Sequence, residues 1–212
     1  MNEDVTITIL TGGRPNYLRE TLVSLQSNIK EIADANIVAM VNGADLPSLQ
    51  ILKDFPWIKK TLTTPRMLPI GQATSRLYKV AAESRLPFWM HLEDDWRCIA
   101  TDWLAQAKEI LANKQIGQVR LRKATERVLS KHMIKHTEIR WKDQGRARVA
   151  DAHYTFNPSL VRTADVASLF PCNGEIDAMR KFVATKRLVA QSVPGAFVHI
   201  GHDSLRERTG TP

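Results

Sequence analysis

The sequence is poor in everything that would cross-link a chain or anchor it in a bilayer. Its 212 residues include two cysteines, Cys98 and Cys172, too few for a disulfide framework or a four-thiolate zinc site. A reduced, cytoplasmic compartment is the expectation. No apolar run reaches the roughly 18 residues of a membrane span, and the acidic opening Met1-Asn2-Glu3-Asp4 does not read as a signal peptide. There is no internal repeat and no low-complexity tract. Acids are scarce as well: 30 Lys+Arg stand against 22 Asp+Glu, a formal charge of +8. What remains, 43% hydrophobic and 25% charged, is the composition of a globular domain and excludes wholesale disorder.

The charge excess is local. Between Arg120 and Arg148, 10 Lys/Arg face three acids, +7 of the total +8. Such a stretch points to an anionic partner (a phosphate-bearing substrate, a nucleic acid or an acidic membrane surface), or else to a solvated basic face.

The first half alternates strand and helix. Apolar runs at Val5 to Leu10, Asn36 to Val41, Trp57 to Thr63 and Pro87 to Leu92 read as strands. Between them, helices are expected after a cap at Asn16, over Pro47 to Asp54 and over Gln72 to Ser84. Further helices are expected over Asp102 to Asn113, over Thr163 to Leu169 and from Gly174-Glu175 to Ala184. Strands are expected over Gly117 to Leu121, in a hairpin around Gly145 formed by Glu138 to Trp141 and Arg148-Val149, and late in the chain at Leu188 to Val193 and Ala196 to Ile200. Alternation of this kind implies parallel strands with crossover helices, and ligands then sit off the carboxyl ends of the strands. The turns Thr11 to Arg14, Asn42 to Asp45 and Glu93 to Asp95 are therefore expected on one edge.

The acid triplet Glu93-Asp94-Asp95 ends an apolar strand. Unpaired, such charges repel and resist desolvation. A hard divalent cation, Mg²⁺ or Mn²⁺, removes the conflict, and strand alternation would aim Glu93 and Asp95 to one side. In Thr11-Gly12-Gly13-Arg14, the glycines allow backbone approach to a ligand and Arg14 could meet a phosphate. His91, inside the strand before the acids, reads as a core residue, and His132 and His136 as part of the basic surface.

The opening V-T-I-T-I-L-T-G-G-R-P-N-Y-L-R-E-T-L-V-S-L resembles that of GT-A fold glycosyltransferases, especially the family-two group. Later features keep that group's order: V-N-G-A-D, Gly71 to Arg76, L-E-D-D-W, N-G-E-I-D and V-P-G-A-F-V-H-I-G. The resemblance implies an α/β fold: a single GT-A (Rossmann-like) domain over residues 1–212, with a mostly parallel central sheet flanked by helices. Residues 1–95 would form the nucleotide-binding half and 96–205 the acceptor-binding half, with 206–212 a loose tail. It implies an inverting, metal-dependent transfer from a nucleoside-diphosphate sugar, with uridine the expected base, to an acceptor hydroxyl. Thr11, Gly12, Arg14, Asn42, Arg76, Glu93 and Asp94 would contact the nucleotide sugar, Asn42 standing where the family usually has Asp. Asp95 would be the principal metal ligand, aided by Glu93 and by His199 or His202. Glu175 and Asp177, separated here by Ile176, resemble the acidic pair that supplies the base; Asp177 is the expected base and Glu175 the first-turn cap.

Two other readings fit parts of the sequence. A nucleotidyltransferase also uses a Gly-rich first turn and a metal-binding acid. A nucleic-acid-binding module would use residues 120–148 and show salt-dependent affinity without a metal requirement. Nucleotide-sugar hydrolysis measured with and without Mn²⁺ separates the three.

Overall fold

The structure is a computed structural model and describes residues 2–123, 142–152 and 154–201. Strand β1 (Val5–Thr11) is buried along its whole length, as a β-branched run in the middle of a parallel sheet should be. It pairs in parallel with β2 (Asn36–Asn42) on one side and β4 (Phe88–Glu93) on the other. Strand β3 (Lys60–Thr64) adds in parallel to the outer edge of β2. Beyond β4, β9 (Ser159–Arg162) runs antiparallel between β4 and β6 (Ile116–Arg120). Strand β10 (Leu188–Ser192) is parallel to β6, and the hairpin β7 (Lys142–Gln144) and β8 (Ala147–Ala150) closes the far edge. The order is β3-β2-β1-β4-β9-β6-β10-β8-β7, and a separate ribbon pairs β5 (Trp96–Cys98) with β11 (Phe197–His199).

Strand alternation assigns each face its own core. Ile7, Ile9, Ile37 and Leu92 face one side and pack on Leu18, Leu22 and Leu25 of α1 (Pro15–Asn28), on α2 (Leu46–Lys53) and on α4 (Trp103–Leu111). The three leucines of α1 recur at helical spacing and are wholly buried, each contributing on the order of 1.5–3 kcal/mol. Leu10, Val38 and Met40 face the other side, against Ala73 and Leu77 of α3 (Ile70–Glu83). Farther along that side, Trp89, Val161 and Val189 pack with Tyr154, with Phe182 of α5 (Glu175–Ala184) and with the 3-10 turn Thr163–Leu169.

Three local expectations shift. Helix α1 starts at Pro15, one residue before the expected cap Asn16, with Arg14 at the N-cap position and no side-chain cap bond; proline needs no N–H partner and presets the first helical φ. The third strand begins at Lys60 rather than Trp57 because Trp57 turns into the core, its ring 5.5 Å from that of Phe55. The hairpin turns at Gly145 as expected, with φ +61, but between β7 and β8; residues 138–141 lie outside the described residues.

The N-termini of α3 and α5 meet. A Cβ on Gly71 would stand 2.3 Å from the Gly174 nitrogen and 2.4 Å from the Asn173 carbonyl carbon, so only glycine lets the two backbones touch. Gly71→Ala should therefore lower unfolding free energy by about 1–3 kcal/mol, the usual cost of overpacking. Gly174 has open space around it and an extended backbone, φ 164, so Gly174→Ser should stay within about 0.5 kcal/mol of wild type. Urea unfolding of both variants checks the pair.

Candidate active site

The chain passes from β1 outward through β2 to β3 and then returns, by α3, to β4 on the other side of β1. The carboxyl ends of β1 and β4 are thus neighbours at the point where strand order reverses, the usual ligand crevice of an open α/β sheet. The loop after β1 carries Thr11 to Arg14, and β4 ends in the acid triplet.

These two loops are joined by ion pairs. Arg14, 8% exposed, bonds both Asp94 and Asp95, the latter at 2.5 Å from Nη1 to Oδ2. Burial alone would lower the Arg14 pKa; the two carboxylates outweigh it and hold the group above its ordinary value. Asp94 is fully buried and also accepts from Thr11 Oγ1 at 2.6 Å and from the Gly12 N–H at 3.3 Å. Its main-chain carbonyl takes a bond from Thr21 Oγ1 of α1 at 2.7 Å. Thr11, Arg14 and Asp94, expected to contact a nucleotide sugar, are engaged with one another.

Asn42 has also found partners within the protein. Its Oδ1 accepts from Leu68 N at 2.8 Å and Thr64 Oγ1 at 3.0 Å, and its Nδ2 donates to the Leu68 carbonyl at 2.9 Å. The side chain fastens the Thr64 to Leu68 segment over the β2 end, where Met67 closes on Gly43 and Gly12. Arg76 is exposed on α3.

Asp95 keeps unused capacity. It is 4% exposed. Its Oδ2 lies 3.2 Å from His199 Nε2 as well as against Arg14, while its Oδ1 is buried with no hydrogen-bond partner. Burial favours the neutral acid, yet the bonds from His199 and Arg14 prevail and lower its pKa. His199 arrives through the β5–β11 ribbon, which sets it opposite Trp96. The Ile200 N–H donates to the Asp95 carbonyl at 2.9 Å, and a Cβ on Gly201 would lie 2.7 Å from Asp95 Oδ2. A seam of polar residues on α1 steadies the ribbon: Ser24 Oγ accepts from the Cys98 N–H, and Asn28 Nδ2 donates to the Cys98 carbonyl. A carboxylate oxygen without a partner beside an imidazole nitrogen suits a divalent ion such as Mn²⁺. Among the described residues no three His, Cys, Asp or Glu gather closely enough to form a fuller ligand set. β4 ends at Glu93 and the chain turns at Asp94 and Asp95, so strand alternation does not set the side on which Glu93 stands relative to Asp95. His202 lies outside the described residues.

Glu93 remains at the strand end, half-buried. Burial first, then Asp95, push its pKa up to about 8, with Asp94 and Glu175 adding to the rise and Arg14 opposing it. His91, in the core against Thr8, is pushed down to about 3 by burial and stays neutral.

The two acids of α5 meet different partners. Asp177 Oδ2, in the first turn of α5, accepts from the Asn173 N–H ahead of the helix at 3.0 Å and pairs with Lys181 at 3.3 Å. Glu175 turns inward, its Oε1 accepting from Thr155 Oγ1 at 2.8 Å and Phe156 N at 2.9 Å. Its Oε2 carries no hydrogen bond among the described residues, and its charge is felt by Glu93 and Arg120. Thr155 and Phe156, which hold Glu175, carry no sequence signal of their own.

No protein-family model and no curated protein matches the sequence. Solved structures do. S. aureus TarS 1–349 in complex with UDP-GlcNAc superposes with a TM-score of 0.70 at 16% identity, over 99% of this chain and 62% of that one. GalNAc-T7 with UDP, GalNAc and Mn²⁺ gives 0.67 at 14% identity, over 98% and 45%. The mannosyltransferase PcManGT from Pyrobaculum calidifontis, in complex with GDP-Man and Mn²⁺, gives 0.50 at 16% identity, over 57% and 36%. The chain has the GT-A fold. It spans less than two thirds of each solved GT-A chain named here.

Two predictions follow from the GT-A site's charges. Arg14→Leu strands two buried carboxylates and should cost about 3–5 kcal/mol, read as a lower urea midpoint. The Glu93 shift has the opposite sense to a stabilising carboxylate. With a folded pKa near 8 and an unfolded one near 4.3, the folded chain holds the extra proton between those values. Glu93 therefore favours folding least above pH 8, and stability is lost as pH rises from about 4 to 8. Glu93→Gln should flatten that decline when unfolding is followed in EDTA; an unchanged profile would remove Glu93 as its source.

Proposed function

We propose that this chain is a glycosyltransferase that moves a sugar from a nucleoside diphosphate, with uridine the expected base, to an acceptor hydroxyl with inversion at the anomeric carbon. The observation that carries the reading is Asp95 beside His199 at the strand-order reversal, with one carboxylate oxygen buried and unpartnered. The GT-A neighbours solved with UDP-GlcNAc, or with UDP, GalNAc and Mn²⁺, support it.

In this reading Asp95 and His199 hold Mn²⁺ or Mg²⁺, whose chemistry is to offset charge on the departing diphosphate. The nucleotide lies along the loops after β1 and β2, near Thr11, Gly12 and Asn42, in the half formed by residues 1–95. Arg76, exposed on α3, is the cation offered to the diphosphate. Arg14 neutralises Asp94 and Asp95 from below instead of touching phosphate, and so keeps the pocket wall from repelling an anionic donor. Residues 96–205 form the acceptor half. Glu175 is the base: its Oε1 is fixed by Thr155 and Phe156, leaving Oε2 for the acceptor. As the acceptor oxygen attacks the anomeric carbon, its proton passes to Glu175, and the bond from that carbon to the diphosphate oxygen breaks. Fixing the carboxylate beforehand removes an orientational cost from the step.

Glu175→Gln should cut transfer by at least ~100-fold, the scale of a lost general base, with donor affinity within a few-fold of wild type. Asp177→Asn should keep most activity and lower the urea midpoint slightly, since it removes a negative charge from the first turn of α5. Asp95→Ala should abolish Mn²⁺-dependent UDP binding in isothermal titration. An active Glu175→Gln enzyme beside a dead Asp177→Asn one would reverse the assignment, and wild-type UDP affinity in Asp95→Ala would remove the metal site.

A further inference from the structure

We infer that Gln118 is a positioning residue for the transfer: acting through Thr155, it holds one oxygen of the Glu175 carboxylate and leaves the other, Oε2, to take the acceptor's proton. The inference rests on the glycosyltransferase reading with Glu175 as base and adds to it the residue that aims that base.

A slip in strand β6 aims Gln118. Strands β6 and β10 are parallel, but Leu188 stands opposite Ile116 and Val189 opposite Gln118, so Gly117 is an extra residue on β6. A bulge of this kind re-aims the side chains that follow it. Ile116 and Val119, three residues apart, lie in the same apolar core, where strict alternation would put them on opposite faces. Gly117 faces the other way, and a Cβ there would stand 2.9 Å from the Phe182 ring of α5. Past the slip Gln118 faces that side as well, toward the segment that carries Tyr154, Thr155 and Phe156. Without the slip it would share the face of Ile116, where a buried amide meets only apolar groups and is costly.

Gln118 is fully buried, and its amide is spent on Thr155 and Ser159. Its Nε2 donates to the Thr155 carbonyl at 2.8 Å and to Ser159 Oγ at 2.9 Å, and its Oε1 accepts from the Thr155 N–H at 3.2 Å. One side chain thus fixes both main-chain groups of Thr155. The Thr155 hydroxyl accepts from Asn157 Nδ2 at 2.6 Å and from the Asn157 N–H at 3.2 Å. Its single proton is therefore directed at Glu175 Oε1, 2.8 Å away, and the Phe156 N–H donates to the same oxygen at 2.9 Å. Neither donor can take a proton back from Oε1. A backbone N–H offers no acceptor, and both acceptor positions of the hydroxyl are occupied by Asn157. A proton arriving on the carboxylate has to settle on Oε2. In the transfer the acceptor's O–H bond breaks, its oxygen bonds the anomeric carbon, and its proton goes to Oε2. The bond from that carbon to the diphosphate oxygen breaks, and the electron pair leaves with the diphosphate. Gln118 touches none of these atoms: it places the hydroxyl that places the base, and catalysis is sensitive to such placement.

The test follows UDP release from UDP-GlcNAc in Mn²⁺, with water as acceptor, for the full chain and its variants. Gln118→Met, which keeps the volume and removes the amide, and Thr155→Val should each lower kcat by about 10- to 100-fold with KM nearly unchanged, the cost of misplacing a reacting group by about 1 Å. Thr155→Ser, which keeps the hydroxyl, should restore most of the rate. The double variant Gln118→Met/Glu175→Gln should be no slower than Glu175→Gln alone, because residues that act as one unit are not additive; a residue that only supports the fold would slow it further. A second measurement needs no turnover. Amide hydrogen exchange at Phe156, the N–H that bonds Glu175, should speed up at least ~10-fold in Gln118→Met while Ile7 in β1 keeps its wild-type rate, a local opening and not a global one. Wild-type kcat in Gln118→Met, a double variant slowed by the product of the two single effects, or unchanged exchange at Phe156 overturns the proposal. Thermal melts check folding; should Gln118→Met not fold, Thr155→Val and Thr155→Val/Glu175→Gln take its place in both measurements, with the same outcomes decisive. Should wild type release no UDP, that counts against the glycosyltransferase reading, and exchange at Phe156 alone decides whether Gln118 holds Glu175.

Discussion

The structure turns on the pairing of Arg14 with Asp94 and Asp95. Strand order brings the ends of β1 and β4 together and so crowds three consecutive acids against one another. Buried carboxylates without a counter-charge would not survive there. A guanidinium from the neighbouring loop supplies it and ties the two strand ends in the same act. Much follows from that tie. The Thr11 to Arg14 turn closes on Asp94, α1 begins at once at Pro15, and the polar seam of α1 takes hold of β5. Strand β5 in turn gives β11 an edge to pair with, and His199 comes to rest beside Asp95.

Environment, not residue type, divides the acids among tasks. Asp94 is consumed internally. Asp95 is shared between Arg14 and His199 and keeps one oxygen open. The Glu93 pKa is pushed up to about 8 by burial first and then by the neighbouring acids. On α5 the shorter side chain, Asp177, bends back to its own helix start, and the longer Glu175 reaches inward to residues 155–156. Position on the helix underlies this last division, since residues two apart do not share a face.

The first half of the fold was legible because β-branched runs such as Val5 to Leu10 and leucines at helical spacing such as Leu18, Leu22 and Leu25 carry their periodicities openly. Strand β9 was not, since Ser159–Arg162 is four residues long and follows Asn157-Pro158 as a loop would. Strand β5 was hidden for a similar reason, its three residues sitting directly behind the acids. At the candidate site, the acid triplet, Asp95 and His199 stood out by type and order. What could not be read was partnership: that Arg14 faces carboxylates, that Asn42 holds the Leu68 segment, and that Asp177 accepts from the Asn173 N–H. Each depends on which groups the folded chain sets beside the side chain, and neither periodicity nor spacing encodes that.

His199 lies 104 residues after Asp95. A ribosome adding about 5–20 residues per second needs roughly 5–20 s to cover that interval. For that time Asp95 has no imidazole to face, yet Arg14, made earlier than either, is already at hand to neutralise it. The guanidinium therefore acts as a placeholder during synthesis. The nascent chain can close its first four parallel strands and wait, with the contact between Asp95 and His199 unmade, until β11 emerges.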